Sequence, residues 1–377
     1  MRILILTQPL INNYGGILQN YSLQTILKRR GHSVETLKIE MSLSLPLYKR
    51  YCRMIPVIVK FILLSVFEKI FGRSIRRWIT QKEQQICYSK ISKFIDNNIS
   101  TTPLVDRLSD LKHYLHYDAY VVGSDQVWRN EYSPHLPIYF LDFLPADCQA
   151  KKIAYAASFG KAQIDFPKSH IGLYASLLQR FDAVSVREYS GIDLCRTYFH
   201  VSADIVPDPT MMLSGDDYRT LLGAYKNCAK GKLVTYILDD NDAQTAMIKR
   251  FAEKCNLEVI RLRGEYFRSD LQSAYPEKHS IEYWLAAIES AEYIITDSFH
   301  GTIFSLLFEK KFFTFINHSR GKERFYTLDK MFDISCRFIN TESTDMRETE
   351  NLDYSVINKK LADYRKIGDN FLRKAGF

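Results

Sequence analysis

The chain lacks the cysteine pattern of a disulfide-rich or zinc-binding protein. Its seven cysteines are odd in number, lie far apart and form no C-x-x-C pair. Disulfide frameworks and structural zinc sites need paired or regularly spaced cysteines, so this pattern favours a reducing compartment. A signal peptide is not indicated, because Met1 and Arg2 lead straight into the apolar run ILIL without a small-residue cleavage site. We therefore expect a cytoplasmic protein with no metal site.

The sequence also has no long uninterrupted apolar run. The most apolar stretch, residues 54–71, contains Pro56, Lys60, Glu68 and Lys69 and is too short and too interrupted for a transmembrane span. Basic residues flank it on both sides, which is typical of an interfacial helix in peripheral contact with an anionic membrane. The alternative is a helical hairpin that covers the sheet, and buried helices of this length are common.

Neither sign of charge dominates, and hydrophobic residues are plentiful. The 377 residues include 51 basic and 43 acidic ones, for a net charge of +8, and 46% are hydrophobic. This composition excludes a disordered chain. The moderate positive charge suits anionic substrates or an anionic membrane surface as well as nucleic acid. At roughly 100–200 residues per domain, the length predicts two domains.

Apolar strand and helix patterns alternate along the chain, which predicts an α/β fold. Strands are predicted at residues 2–7, 33–39, 117–122, 152–158, 182–186, 201–206, 233–238, 257–262, 293–295 and 312–316. Helices are predicted at residues 17–30, 168–180, 243–254, 281–290, 323–332 and 354–371. Pro207, Pro209 and Gly215 mark an irregular linker. We therefore predict an N-terminal domain of residues 1–206, with a helical insert at about 45–100, and a C-terminal domain of residues 207–377 that ends in a helix.

Residues 291–308, AEYIITDSFHGTIFSLLF, have the pattern of a strand, a loop and a helix. His300 follows the strand and opens the helix, so we expect it just outside the carboxyl end of a parallel strand, where open α/β sheets bind ligands. The N–H groups and the dipole of a helix N-terminus favour an anion at that point. In the alternative interpretation, Ser298 caps the helix and His300 is a local polar group.

Two features of the first half also suit an anionic ligand. Gly15 and Gly16 precede a predicted helix and permit close approach of the backbone to a ligand, although the G-x-G-x-x-G pattern of a dinucleotide loop is absent. Arg187 follows a predicted strand and can hold a phosphate or carboxylate in a bidentate fork. The structural alternatives are a simple glycine turn and a salt bridge between Arg187 and Glu188 or another neighbour.

Polar and aromatic side chains follow another strand, in the sequence VVGSDQVWRN. Asp125 and Gln126 can bond sugar hydroxyls, and Trp128 can stack on a sugar ring, so these residues form a candidate acceptor site. The alternative is turn chemistry with Asp125 as a cap.

Six motifs occur in order: YGGILQNYSLQTILKRRGH, VVGSDQVW, IAYAASFG, FDAVSVRE, VPDPTMML and TDSFHGTIFSLLF. Together they resemble the polysaccharide pyruvyl transferase family, over residues 1 to about 332. The resemblance implies two Rossmann-like domains that face each other across a cleft, as in GT-B glycosyltransferases. It also implies transfer of pyruvate from phosphoenolpyruvate onto two hydroxyls of a sugar as a ketal, with release of phosphate, in the biosynthesis of cell-surface polysaccharides such as capsule and exopolysaccharide.

The resemblance further implies the partners and the donor site. Phosphoenolpyruvate is a co-substrate and no cofactor is needed; the acceptor is a sugar, which can be lipid-linked, and no nucleic acid takes part. The family's arginine and histidine at the phosphoenolpyruvate site fall on Arg187 and on His300 of the His300-Gly301 pair. We expect these two residues to hold the donor together when the cleft closes, with the N-terminal domain on the acceptor side and the C-terminal domain on the donor side.

One position departs from the family pattern. Well-studied members carry R-L-H-G where this chain has Ser298-Phe299-His300-Gly301, so a serine hydroxyl replaces a charged guanidinium fork. Either another cation takes that role or the donor differs. The candidate cations are Arg320, Lys322 and Arg324.

Ketal formation from phosphoenolpyruvate requires protonation of its methylene carbon, for which histidine is the usual acid near neutral pH. His300 is one candidate, although the helix dipole disfavours its protonated form. Asp125 is the other candidate, as base for the acceptor hydroxyl. A nucleotide-sugar glycosyltransferase of GT-B type and a non-catalytic saccharide-binding protein are the alternatives that the sequence leaves open.

Overall fold

The computed structural model describes residues 1–40, 87–133, 135–262, 278–317, 319–340, 346 and 352–377. The basic-flanked apolar stretch at residues 54–71, and most of the predicted helical insert around it, lie outside the described residues. Within the described ranges, no helix combines the length and the apolar character that crossing a membrane requires.

The first sheet is parallel and contains six strands among the described residues. They are β1 (Arg2–Leu6), β2 (Ser33–Thr36), β3 (Ala119–Val122), β4 (Lys151–Ala157), β5 (Ala183–Val186) and β6 (Asp204–Ile205). The strand order is β2-β1-β3-β4-β5-β6. The central strands are buried on both faces, which explains their nearly continuous apolar sequences. The order reverses between β1 and β3, so a crevice opens beyond their carboxyl ends.

The second sheet is also parallel, with five described strands. They are β7 (Leu233–Tyr236), β8 (Val259–Arg261), β9 (Tyr293–Thr296), β10 (Lys311–Phe315) and β11 (Phe338–Ile339). Their order is β11-β10-β9-β7-β8, and the reversal falls between β7 and β9. The fold is thus the predicted one, with two Rossmann-like α/β domains that face a cleft in the GT-B manner.

Helices cover both sheets. They are α1 (Tyr14–Arg29), α2 (Ser89–Asn98), α3 (Ile171–Leu178), α4 (Tyr189–Leu194), α5 (Pro209–Met212), α6 (Gly215–Arg219), α7 (Asp242–Lys254), α8 (Ile281–Ser290), α9 (Phe299–Leu307), α10 (Glu323–Phe332) and α11 (Tyr354–Lys374). Short 3₁₀ helices lie at Leu108–Tyr114, Leu136–Phe140, Lys168–His170, Gly223–Tyr225 and Ser335–Arg337, and a π-helical turn lies at Cys195–Phe199.

Helix α1 begins earlier than the sequence pattern predicts. Its first residue is Tyr14 instead of residue 17, so Gly15 and Gly16 belong to its first turn and not to a loop before it. Glycine disfavours a helix, but here tertiary packing outweighs that intrinsic preference. The ring of Tyr14 stacks on Trp284 of α8, with 5.6 Å between ring centroids, and thereby holds the first turn of α1 against the second domain.

A single hydrophobic cluster extends through both halves of the molecule. It contains Ile3 and Leu18 from the first domain and Trp284 and Phe304 from the second. At least one polar contact also joins the two domains, since the hydroxyls of Ser22 and Tyr218 lie 2.6 Å apart. The two sheets are therefore joined by buried apolar surface beneath the cleft.

Helix α11 crosses from the second domain back to the first. Arg365 donates hydrogen bonds to the carbonyls of Met211 and Leu213, at 2.8 and 2.9 Å. Further along the helix, Phe371 packs edge-on against Tyr155 of β4. The end of the helix thus contacts the first domain, whereas Arg365 contacts the segment that follows Pro207.

Candidate active site

A cleft of about 550 Å³ lies between the two sheets, where both strand orders reverse. Its walls come from loops that follow β1, β3, β7 and β9 and from the first turns of α1, α9 and α10. Parallel α/β sheets bind ligands at such points, so this cleft is the candidate active site.

The structure brings most of the predicted site residues to this cleft. Those that line it are Gly16, Asp125, Gln126, Ser298, His300, Arg320 and Arg324. Those that do not form its wall are Gly15, Trp128, Arg187, Gly301 and Lys322. The second group therefore needs a different explanation from direct contact with a ligand.

Trp128 lies in the hydrophobic core and not in the acceptor site that the sequence predicted. Its side chain is 0% exposed, and its indole Nε1 donates to the carbonyl of Tyr139 at 3.0 Å. The indole stacks on Phe140, with 5.6 Å between ring centroids. A residue that is enclosed in this way has no free face for a sugar ring, so its position corrects the prediction.

Arg187 lies behind the cleft wall, at the centre of a buried charge cluster. Its Nη1 is 2.7 Å from Asp208, its Nη2 is 3.4 Å from Asp125 and its Nε is 3.4 Å from Glu188. Burial lowers the pKa of Arg187, but the charges of Glu188, Asp208 and Asp125 outweigh that effect and hold the pKa above its ordinary value. The guanidinium of Arg187, which was predicted to bind the donor substrate, is paired with carboxylates in this structure. The alternative interpretation, a salt bridge with Glu188 or another neighbour, describes this arrangement.

His300 stands beside the same cluster. Its Nε2 is 3.7 Å from Asp208 Oδ2 and has no hydrogen-bond partner, although the side chain is only 5% exposed. Asp208 Oδ1 accepts from the backbone N–H and the hydroxyl of Thr210, in the first turn of α5. Burial raises the pKa of Asp208, but the His300 and Arg187 side chains outweigh it and hold the pKa well below its usual range.

Asp208 is a site residue that sequence reasoning missed. It belongs to the motif VPDPTMML, which the proline pattern marked as a linker. An aspartate before Pro209 at a helix start is a routine cap, so local sequence offers no sign of its second role. Only the fold shows that one carboxylate bridges Arg187 of the first domain and His300 of the second, without any closure of the cleft.

Gly15 and Gly301 do not line the cleft and permit close packing beside it. A Cβ on Gly15 would overlap with the imidazole of His300, whose Cε1 would lie 2.7 Å away. A Cβ on Gly301 would meet Thr296, 3.1 Å from its Cβ. The first glycine lets helix α1 approach the histidine, and the second lets α9 approach the end of β9.

Asp125 presents a carboxylate at the cleft wall and is held from three sides. Its Oδ2 accepts from Asn13 at 3.2 Å, and its Oδ1 accepts from the backbone N–H of Gln126 at 2.9 Å, besides the contact with Arg187. The Gln126 side chain accepts from Arg129 at 2.8 Å. Asn13 was not predicted, because an asparagine before a helix is an ordinary turn residue.

Ser298 is the helix cap that the alternative interpretation described. Its Oγ accepts from the N–H of Gly301 at 3.3 Å, and the side chain is 4% exposed. The adjacent Asp297 accepts from the N–H groups of Leu238 and Asp239, at 2.6 and 3.0 Å, and ties the loops after β7 and β9 together.

The two cleft arginines of the α10 region differ in their partners. Arg320 pairs with Asp239 through Nε at 2.6 Å and Nη2 at 2.7 Å. Its hydrogen bonds lower the pKa of Asp239 to about 2. Arg324 instead lies over the ring of Phe299, 5.2 Å from its centroid, without an ion pair among the described residues. Lys322 points elsewhere, over Tyr326.

The geometry defines a two-domain α/β protein with a polar interdomain cleft that contains buried cations and a carboxylate-paired histidine. A model of the family described as polysaccharide pyruvyl transferase matches residues 13–319. The chain therefore belongs to the polysaccharide pyruvyl transferase family. No curated protein matches the sequence significantly.

Several solved structures are similar in outline. A functionally uncharacterized protein from Klebsiella pneumoniae has a TM-score of 0.46 and 10% identity, over 90% of this chain and 92% of that one. The glycosyltransferase SnogD from Streptomyces nogalater has a TM-score of 0.46 and 11% identity, over 100% of both chains. The UDP-GlcNAc 2-epimerase from Neisseria meningitidis, bound to UDP-GlcNAc, has a TM-score of 0.44 and 9% identity, over 100% of this chain and 94% of that one. Similarities of this size carry no conclusion about activity.

Proposed function

We propose that this protein transfers pyruvate from phosphoenolpyruvate onto two hydroxyls of one sugar, as a ketal, in the biosynthesis of a cell-surface polysaccharide. Family membership over residues 13–319 supports the transfer of a pyruvyl group. The observation that carries the proposal within the molecule is His300, which lines the cleft with a buried carboxylate 3.7 Å from its Nε2. Histidine is the side chain most often used for proton transfer in catalysis.

The reaction balances without a metal, an oxidant or a reductant. Protonation of the methylene carbon converts it to a methyl group and makes C2 electrophilic. One sugar hydroxyl adds to C2, the bond between C2 and the phosphate oxygen breaks, and the second hydroxyl forms the second C–O bond. Of the two hydroxyl protons, one replaces the proton delivered to the methyl group and the other leaves on phosphate.

The residues divide these tasks by position. His300 supplies the proton to the methylene carbon, and Asp208 acts as a positioning residue 3.7 Å from its Nε2. Asp125, from the first domain, accepts a proton from the attacking hydroxyl. The Asn13 hydrogen bond at 3.2 Å and the Arg187 contact at 3.4 Å orient its two oxygens.

The acceptor is a sugar on a nucleotide or lipid carrier, at the cytoplasmic face of the membrane when the carrier is a lipid. The cleft has room for both a donor and a sugar, because 550 Å³ lies within the usual range of small-molecule sites. Peripheral membrane contact would bring the protein to a lipid-linked acceptor.

The test is incubation with phosphoenolpyruvate and a panel of nucleotide- and lipid-linked sugars in D₂O, with mass spectrometry of the products. We expect a pyruvylated sugar whose methyl group carries one solvent deuterium, together with inorganic phosphate. His300→Asn should abolish the product, and His135→Asn, at a histidine that does not line the cleft, should leave it unchanged. Release of nucleotide without phosphate would instead establish a glycosyltransferase, and binding without turnover would establish a saccharide-binding protein.

A further inference from the structure

The loop that follows β3 contributes more to the cleft than Asp125 and Gln126. Glu131 and Tyr132, further along the same loop, also line the cleft. Trp128, the aromatic residue that the sequence pattern favoured here, is enclosed in the core. The loop therefore stays in the cleft wall as expected, but Tyr132 is the aromatic residue that it presents there.

Tyr132 is more accessible than the other aromatic side chains of the described cleft wall. The other tyrosine and phenylalanine residues that line it are between 2 and 8% exposed; they are Tyr14, Tyr88, Tyr236 and Phe299. Tyr132 is partly exposed. Within the part of the wall that the structure describes, this ring is therefore the one best placed to contact a ligand through its aromatic surface.

Arg129 holds the ring of Tyr132 in place. The guanidinium carbon lies 4.1 Å from the ring centroid and covers one face of the ring. Arg129 is 3% exposed and donates to Gln126 at 2.8 Å, to Glu131 at 2.6 Å and to the carbonyl of Ser319 at 3.2 Å. The surface that remains for a ligand is the opposite face and the rim. A ring that is fixed before binding loses little conformational entropy when a ligand contacts it.

The ring lies near the proposed reacting groups. Its phenol is within electrostatic range of Arg320 and Arg324. Arg324 in turn lies over the ring of Phe299, the residue before His300. A ligand on the ring of Tyr132 is therefore close to the loop that carries Asp125 and to the part of the cleft that contains His300.

We propose that the uncovered face of Tyr132 is the stacking surface for the pyranose ring of the acceptor sugar. The hydroxyls of a pyranose project from its rim, whereas its C–H bonds form an apolar face that suits an aromatic ring. Stacking leaves the rim hydroxyls available to the polar groups of the same loop, Asp125 and Gln126. This inference rests on the proposed function and names the residue that recognises the acceptor.

The first test does not depend on turnover. It is saturation-transfer NMR with the methyl glycosides of galactose, glucose and mannose, on wild type, Tyr132→Phe and Tyr132→Ala. We expect transfer from the wild type to the ring C–H protons of at least one sugar, because these protons contact the tyrosine. Tyr132→Phe keeps the ring and should keep the transfer, and Tyr132→Ala should lose most of it.

The matched control is Tyr326→Ala. Tyr326 is 44% exposed, has Lys322 over its ring as Tyr132 has Arg129, and does not line the cleft. Its replacement should leave the transfer unchanged. If urea unfolding shows that Tyr132→Ala is destabilised, Tyr132→Leu takes its place, because leucine keeps apolar volume without a flat face. Equal transfer in the wild type and in the variant without a ring, or no transfer from the wild type to any of the three sugars, would overturn the inference.

The second test is kinetic and uses the carrier-linked sugar that yields the ketal. Tyr132→Ala should raise the KM of that acceptor about 5- to 50-fold, which is the range expected for loss of one aromatic contact. The KM of phosphoenolpyruvate and the kcat at saturating acceptor should change by less than about threefold, because the ring contributes to binding of the acceptor alone. A loss in Tyr132→Phe as large as that in Tyr132→Ala would assign the effect to the hydroxyl and refute stacking.

The outcomes also distinguish this inference from the proposed function. If the wild type makes the ketal and Tyr132→Ala has an unchanged acceptor KM, the function stands and Tyr132 is not the stacking surface. If Tyr132→Ala loses saturation transfer from the methyl glycosides while the wild type never turns over phosphoenolpyruvate, the sugar site is right and the proposed reaction is wrong.

Discussion

Gly15→Ala is a small substitution that should impair the active site while it leaves the fold largely intact. One methyl group at this position would overlap with the His300 ring and lie 2.7 Å from its Cε1. Carbon atoms in ordinary contact are about 3.5–4.0 Å apart, and Nδ1 and Cγ of the ring would lie closer still, so the ring must move by more than about 1 Å. His300 is 5% exposed and has little free space to do so.

The magnitudes predict a small loss of stability and a large loss of activity. Alanine gains about 1 kcal/mol over glycine within a helix, and overpacking costs about 1–3 kcal/mol, so the net destabilisation should be about 0–2 kcal/mol. A displacement of about 1 Å at a catalytic group can reduce turnover about 100-fold. Urea unfolding and the rate of phosphate release from phosphoenolpyruvate with an acceptor sugar measure the two effects.

Gly172→Ala is the matched control, because it adds the same methyl group to a helical glycine, in α3, with no atom within 4 Å of the new carbon. It should be neutral or slightly stabilising and fully active. If Gly15→Ala is as active as this control, the close approach of α1 to His300 is not required for function and the assignment of His300 is wrong.

Three other changes test separate parts of the structure. Trp128→Ala should cost about 3–5 kcal/mol of stability by urea unfolding, yet leave the acceptor KM per folded molecule unchanged, because the side chain is wholly buried in the core. Asp208→Asn should reduce turnover. It should also flatten the acid dependence of stability, because a carboxyl with a lowered folded pKa stabilises above its unfolded value of about 3.9 and loses that contribution as the pH falls further. Arg365→Leu should expose α11 to hydrogen exchange, because it removes the hydrogen bonds to Met211 and Leu213, and unchanged protection would contradict that role.

Secondary structure was largely predictable because its causes are local. Helices α8 and α10 have the predicted bounds, 281–290 and 323–332, since amphipathic spacing and flanking caps such as Ser280 operate within a few residues. The start of α1 was wrong because it depends on contact with another domain. Tyr14 stacks on Trp284, and no local signal reports such a partner.

The same distinction applies to the site. The expectation that His300 and Asp125 reach the cleft follows from their places after buried strands, and the structure places both in its wall. The same rule was applied to Arg187 and Trp128, but neither lines the cleft, because position at a strand end does not determine the direction of a side chain. Asp208 was overlooked because its partners come from distant parts of the chain.

The apolar cluster that joins both sheets has a thermodynamic consequence. When two halves of a chain share buried surface, neither can unfold without exposing the other, and the molecule melts in one cooperative transition. The linker near Pro207 therefore separates the two sheets along the chain, but it does not separate two units that unfold independently. Either half produced alone would expose apolar side chains such as Trp284, Phe304 or Leu18 to water. We therefore expect an isolated half to aggregate and not to fold as an independent domain.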